Sequence, residues 1–463
     1  MLSQLKKYCK LLQIALVLAI NTSGLANTIQ QKPEKEIWLT IFVHGIMSIR
    51  PHLNFSNFMN FMRDEIENTV YSKTVELMRK DKFFHLNQAM QEFGLEKINL
   101  SSVSKENATS ITAFIYDEVT KLSGAPETTN HYYTFGWSGL LSPTVRYKEG
   151  KKLFNSIVKE LNIFWEQNIY PKIRLIGYSH GGNVCLNLAA IRQDKYPLSS
   201  LTIDELILLG CPVQTETDYL VADQIFKKVY HIYSLADRIQ RIDFFSFNRC
   251  FSRRHFQNRQ HFKVPKNLTQ IRFKVMRNKK TKSEKRRNKQ QKLALNFSDP
   301  SIISGTSPLL RNMSPGHMEL WFFGWTPGHY RDNFVLYPLP VLSFVPLLIH
   351  HIQQAESSLV NPHPITIDVR PEQEVLFIKQ HKRNKFVQKF PFISKSDFNR
   401  LATAAFSHTP DNYTKETYQQ HIKTSFQEAQ RYVEKQKKIK KLASPRKKSK
   451  HKKSQQVAQN NMH

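Results

Sequence analysis

Eleven residues near the middle of the chain, Lys172-Ile173-Arg174-Leu175-Ile176-Gly177-Tyr178-Ser179-His180-Gly181-Gly182, leave little freedom in how the rest can fold. A short apolar run reads as a strand that passes without a spacer into Gly-x-Ser-x-Gly, and a helical stretch from Gly182 to Arg192 follows at once. So tight a turn crowds its own flanks. Glycine at 177 and 181 leaves room for strand and helix to meet, with Ser179 exposed at the apex.

The same alternation extends over much of the chain. Ile37 to Val43 reads as a buried strand ending in His44-Gly45, and further short apolar runs lie at Ile111 to Tyr116, Tyr132 to Phe135, Leu206 to Leu209 and Val229 to Tyr233. Helical stretches fall between the later ones, at Lys151 to Asn168 and Gly182 to Arg192. Strands alternating with helices of this length predict an α/β fold, a mostly parallel sheet with helices on both faces. From Phe55 to about Leu95 the apolar residues recur at helical spacing, which predicts a helical insertion after the first strand. Past Tyr233 the regularity fades into a basic insertion over about residues 244–300, with Gln270 to Met276 as a strand in its middle. From Pro338 comes a helical run to about Ile352, then a hairpin of Pro364 to Val369 with Val375 to Ile378, then helices to Ile439. The pattern divides the chain into a main α/β domain over 27–337, a small C-terminal α+β appendage over 338–434, and a basic tail over 435–463 with almost nothing to bury and expected to be disordered.

Residues 1–26 differ in kind. Lys6, Lys7 and Lys10 precede an apolar run, Leu11 to Ile20, which ends near Gly24-Leu25-Ala26. That is the order of a secretory signal peptide, cleaved after Ala26, and it implies an exported protein, periplasmic or secreted. Later apolar runs are too short or too broken by proline to span a bilayer. Cys9 falls in the leader, leaving Cys185, Cys211 and Cys250, an odd set without the spacing of a disulfide framework or a zinc site. The 18 histidines include no H-E-x-x-H pair, so neither metal nor cofactor is implied. The net charge of +31 is concentrated in three segments. Eleven basic residues and no acid follow from Lys435 onward, nine against Glu284 lie in Arg277 to Lys292, and six with no acid lie in Arg249 to Lys266.

Taken with Val43-His44-Gly45-Ile46 after the first strand, the Gly177-Tyr178-Ser179-His180-Gly181 turn resembles the α/β-hydrolase superfamily, and within it the lipases and esterases. The resemblance covers roughly Ile37 to Arg331, interrupted around Phe244 to Pro300. It implies Ser179 as nucleophile, an oxyanion hole from the backbone N–H groups of Ile46 and His180, and a structural role for His44 in holding the loop. The family order of nucleophile, acid and histidine places the partners downstream of Ser179. Asp237, just past the Val229 to Tyr233 strand, is favoured as the acid over Asp218 and Asp243. His317, in a turn ahead of Met318-Glu319-Leu320, is favoured as the base over His329, with His255 and His261 weaker. Trp137, in Gly136-Trp137-Ser138-Gly139, lacks the strand-turn-helix context of a second serine motif and reads as core or pocket wall.

The expected activity is hydrolysis of acyl esters, lipid-like ones in particular, through a Ser-His-Asp triad and an acyl-enzyme. A hydrolase scaffold that holds an anionic partner, membrane or nucleic acid, through its basic insertion and tail is the competing class. Aromatics interleaved in the insertion, Phe244, Phe245, Phe247, Phe251, Phe256 and Phe262, suit either partner.

Overall fold

The computed structural model describes residues 35–47, 64–237, 239–241, 252–276, 314–326, 334–359, 363–380 and 386–443. The expected signal peptide, the segment 277–292 and the end of the tail lie outside them. Ten strands form one sheet: β1 (Ile37–Val43), β2 (Gly94–Lys97), β3 (Thr129–Gly136), β4 (Lys172–Tyr178), β5 (Ile203–Leu209), β6 (Phe226–Tyr233), β7 (Leu268–Val275), β8 (Ile365–Arg370), β9 (Val375–Gln380) and β10 (Phe386–Pro391). Their order is β10-β9-β8-β7-β6-β5-β4-β1-β3-β2, and every pair from β3 to β8 is parallel. Only the two ends turn antiparallel, at β2 against β3 and through β8, β9 and β10. The protein is thus α/β with a mostly parallel sheet.

Among the described residues, seven α-helices accompany the sheet: α1 (Val70–Lys80), α2 (Ala108–Leu122), α3 (Pro143–Trp165), α4 (His180–Lys195), α5 (Val345–Ala355), α6 (Lys395–Ser407) and α7 (Lys415–Ala443). Strand side chains alternate between two cores, as a period of two requires. On one face Phe42, Ile176, Ile207 and Ile271 pack with Ile115 of α2, Leu348 of α5 and Leu401 of α6. On the other, Ile41, Leu175 and Leu208 pack with Ile157 of α3 and Leu188 of α4. Both faces are covered, which is why these strands read as unbroken apolar runs. A third, smaller cluster joins Met47, in the loop after β1, to Val75 and Met78 of α1, with Tyr418 and Ile422 of α7 packed against it.

Four expectations change. Ile111 to Tyr116 lies inside α2, because Asn107 accepts from the Thr109 and Ser110 amides (3.0 and 3.4 Å) and starts a helix there. Gly94–Lys97, at the end of the stretch read as helical, is a strand. The run read as a strand inside the basic insertion is β7, a member of the parallel sheet. Finally, the segment read as an appendage supplies β8 to β10 of the same sheet, and α7 continues through Ala443, past the expected start of a disordered tail at 435.

Candidate active site

β4 ends at Tyr178 and α4 begins at His180, so Ser179 alone makes the turn between them. Its backbone sits at φ 51°, ψ −130°, a region a side chain disfavours by roughly 1–3 kcal/mol. Two hydrogen bonds hold it there, from the Ser179 amide to the Leu209 carbonyl (2.9 Å) and from the Gly182 amide to the Ser179 carbonyl (3.0 Å). The flanking glycines serve different neighbours. A Cβ at Gly177 would stand 2.6 Å from the Gly182 Cα, so this residue does let strand and helix meet. A Cβ at Gly181 would stand 2.2 Å from the His44 carbonyl oxygen, so this one makes room for the end of β1. That close approach brings the loop after β1 to the serine, and a Cβ on Gly45 would stand 3.1 Å from the Ser179 Cβ.

Three of the residues picked from sequence come together. Ser179 Oγ lies 3.0 Å from His317 Nε2, and His317 Nδ1 lies 2.7 Å from Asp237 Oδ2. All three are buried, at 2%, 4% and 0% exposure. Since the carboxylate accepts, Nδ1 carries the proton and Nε2 presents a lone pair to the serine hydroxyl. The Gln240 amide donates to the other oxygen of Asp237 (3.2 Å), and Arg254 Nε donates to the Asp237 carbonyl (2.8 Å). Gly210 gives the pair its space: its φ is +57°, and a Cβ there would stand 3.2 Å from Asp237 Oδ2 and 3.3 Å from His317 Nδ1. The turn carrying His317 is tied down by Ser234 Oγ, which donates to the Pro315 carbonyl (2.6 Å), and by the Tyr178 hydroxyl, which donates to the His317 carbonyl (3.1 Å). Burial, with Asp237 and Glu319 nearby, holds the Tyr178 phenol well above its ordinary pKa, so the donor keeps its proton.

The rival residues sit elsewhere. Asp218 is buried in a two-pronged pair with Arg259 (2.7 and 3.1 Å). His255 bonds the Phe256 carbonyl (3.3 Å), and His261 is exposed. Asp243 and His329 lie outside the described residues.

His44 is fully buried beside the serine. Its Nδ1 donates to the Gly45 carbonyl (2.7 Å), its Nε2 accepts from the Trp137 amide (3.2 Å), and its own carbonyl accepts from Trp137 Nε1 (2.7 Å). Burial, reinforced by Arg79, pushes its pKa well below the usual histidine value, so it stays neutral with the proton on Nδ1. Trp137 is therefore both core and clasp, and the Met47 amide adds a bond to the Gly139 carbonyl (3.2 Å). Between these anchors the Gly45-Ile46 peptide runs past Ser179. His180 opens α4, where the helix leaves its first amides without an internal acceptor. Its ring Nδ1 accepts from Arg146 Nη1 (3.1 Å), while Arg146 Nη2 donates to Gln214 Oε1 (3.1 Å). Burial and then Arg146 push the His180 pKa well below its usual value.

Sequence reasoning passes over Arg146, Gln214, Ser234, Gln240 and Arg254, because none belongs to a short motif and each reaches the site only through tertiary packing. Tyr178 stands inside the Gly-x-Ser-x-Gly turn, yet its partner lies 139 residues away. Among the described residues no group of three or more His, Cys, Asp or Glu side chains is arranged to hold a metal ion. Compared with protein families and with curated proteins, the chain matches none.

Proposed function

We propose that this chain is an exported serine hydrolase of the α/β-hydrolase type that cleaves acyl esters, lipid-like ones in particular. The observation that carries the reading is the hydrogen-bonded series Ser179–His317–Asp237, assembled from the ends of three different strand connections and buried together. Ser179 directly follows β4, Asp237 lies just past β6, and His317 meets them from the long connection between β7 and β8, beyond the carboxyl ends of β4 and β6, where open α/β sheets place their sites. The strand order, with a parallel centre flanked by antiparallel strands at both edges, is compatible with the superfamily reading.

In this mechanism Ser179 Oγ attacks the acyl carbonyl carbon as His317 Nε2 takes its proton. The carbonyl oxygen becomes an oxyanion facing the N–H groups of Ile46 and His180. Asp237 keeps the imidazole in the productive tautomer and stabilises the imidazolium. The imidazolium then protonates the leaving alkoxide, and the acyl group remains on Ser179. Water, deprotonated by His317, releases the acid and regenerates the serine.

A fluorophosphonate probe tests this directly. The parent protein is expected to label at Ser179 and Ser179→Ala not at all. His317→Ala and Asp237→Ala are expected to lower kcat on a soluble ester by roughly 10³-fold or more with the fold intact, because the three act as a unit. His329→Ala is expected to do much less. Wild-type ester turnover in Ser179→Ala would sink the proposal; silence in His329→Ala with activity in His317→Ala would move the base.

A further inference from the structure

The far end of α7 leaves the body of the protein. Up to Val433 the helix is anchored: Tyr418 and Ile422 pack against the cluster of α1, His421 pairs with Asp81 (2.6 Å) and stacks on Phe83 (3.9 Å), and Ser425, Ala429 and Val433 are buried. After Val433 it continues to Ala443, about 15 Å further, and none of the side chains described over 434–440 and at 442 is buried. Lys435, Lys438, Ile439 and Leu442 follow the i, i+3, i+4, i+7 spacing that puts four side chains on one face. All four are exposed, Ile439 at 48% and Leu442 at 87%. Lys437 and Lys440 lie about 150° round the helix from that face, and from Lys435 to the end of the chain there is no acidic residue among eleven basic ones.

We propose that this projecting face of α7 binds the surface of an anionic membrane. Uniform positive charge identifies the partner as anionic. The two aliphatic side chains decide which kind. A nucleic acid backbone takes up lysines and leaves Ile439 and Leu442 in water, whereas a bilayer surface takes both: the lysines meet the head groups and the aliphatics enter the boundary between head groups and acyl chains. The helix is also preformed and held at its root, so little ordering is needed on binding. This surface is built by α7 alone and does not depend on the chemistry of Ser179.

The test is co-sedimentation of the full chain with vesicles of phosphatidylcholine alone or mixed equally with phosphatidylglycerol. At least about tenfold tighter binding to the mixed vesicles is expected, weakening steeply as salt is raised. Replacing both aliphatics, Ile439→Ser with Leu442→Ser, is expected to weaken vesicle binding about tenfold while leaving the fluorophosphonate reaction and the unfolding temperature unchanged. Lys435→Gln with Lys438→Gln is expected to weaken it as well, and Ser179→Ala to leave it intact. Equal binding to both vesicle types, or full binding by the aliphatic variant, overturns the proposal. So does tight binding to a DNA duplex that the aliphatic variant retains while vesicles go unbound.

Discussion

His44, His180 and His231 are buried histidines that the fold keeps uncharged. His231 is fully buried in β6 with Nε2 donating to the Cys211 carbonyl (3.3 Å), and burial is the main cause that pushes its pKa down to about 3. The unfolded chain takes up a proton on such a side chain below about pH 6.5, whereas the folded chain does not. Stability from this source is therefore complete above that value and falls with acidification, by about 1.4 kcal/mol per pH unit for one group, until the folded value is reached. His44 and His180 are shifted in the same direction. Urea midpoints are accordingly expected to drop steeply between pH 6.5 and pH 4.5. His231→Gln is expected to flatten that slope by about one proton. Identical slopes for parent and variant would contradict the assignment. At this scale a motif marks Ser179, and the chain order that the resemblance implies favours Asp237 and His317, the two side chains the fold brings to it. It does not show that Arg146 meets His180, since burial of one helical arginine out of many leaves no trace in the local pattern.

Among the elements, β1, β4 and α4 converge on one contact, and Gly181 is where they converge. Alanine there places a Cβ against the His44 carbonyl and must push the loop after β1 away from Ser179. Gly181→Ala is expected to cost about 1–3 kcal/mol of stability. Under the proposed mechanism it is also expected to lower kcat/KM on a soluble ester by roughly 10²-fold or more, because donors to an oxyanion lose their value when displaced. Near-parental turnover would show that the loop position is immaterial. Strands with both faces covered, β1 and β4 through β6, are legible as short apolar runs. Ile111 to Tyr116 is equally apolar and equally short, and periodicity over six residues does not separate a buried strand from a helix; the capping Asn107 was the available signal. The four residues of β2 are too few and too mixed to stand out, and they form a strand because β3 offers an unpaired edge.

For the whole molecule, the sheet crosses the boundary that the sequence pattern draws at residue 338. β8 pairs with β7 along five residues, and Leu348, Ile367 and Leu401 share a core with Phe42 and Ile176. A chain ending at Tyr337 is expected to lack a cooperative thermal transition, because it bares the β7 edge and half of one core. A sharp melt from that fragment would restore the appendage reading. The composition change near Pro338 misleads because β8 joins its neighbours only after a long excursion, and sequence distance says nothing of register. From β4 to β10 the order in the sheet is the order in the chain, while β1 has already taken β3 on its other side. Each later strand thus adds at a single growing edge, and a polypeptide leaving the ribosome or a translocation pore can lay down the sheet in the order in which it emerges. On this timetable Ser179 is set early, Asp237 next and His317 last, with β8 to β10 still to come. The emerging protein carries its proposed nucleophile long before it carries the histidine proposed to activate it.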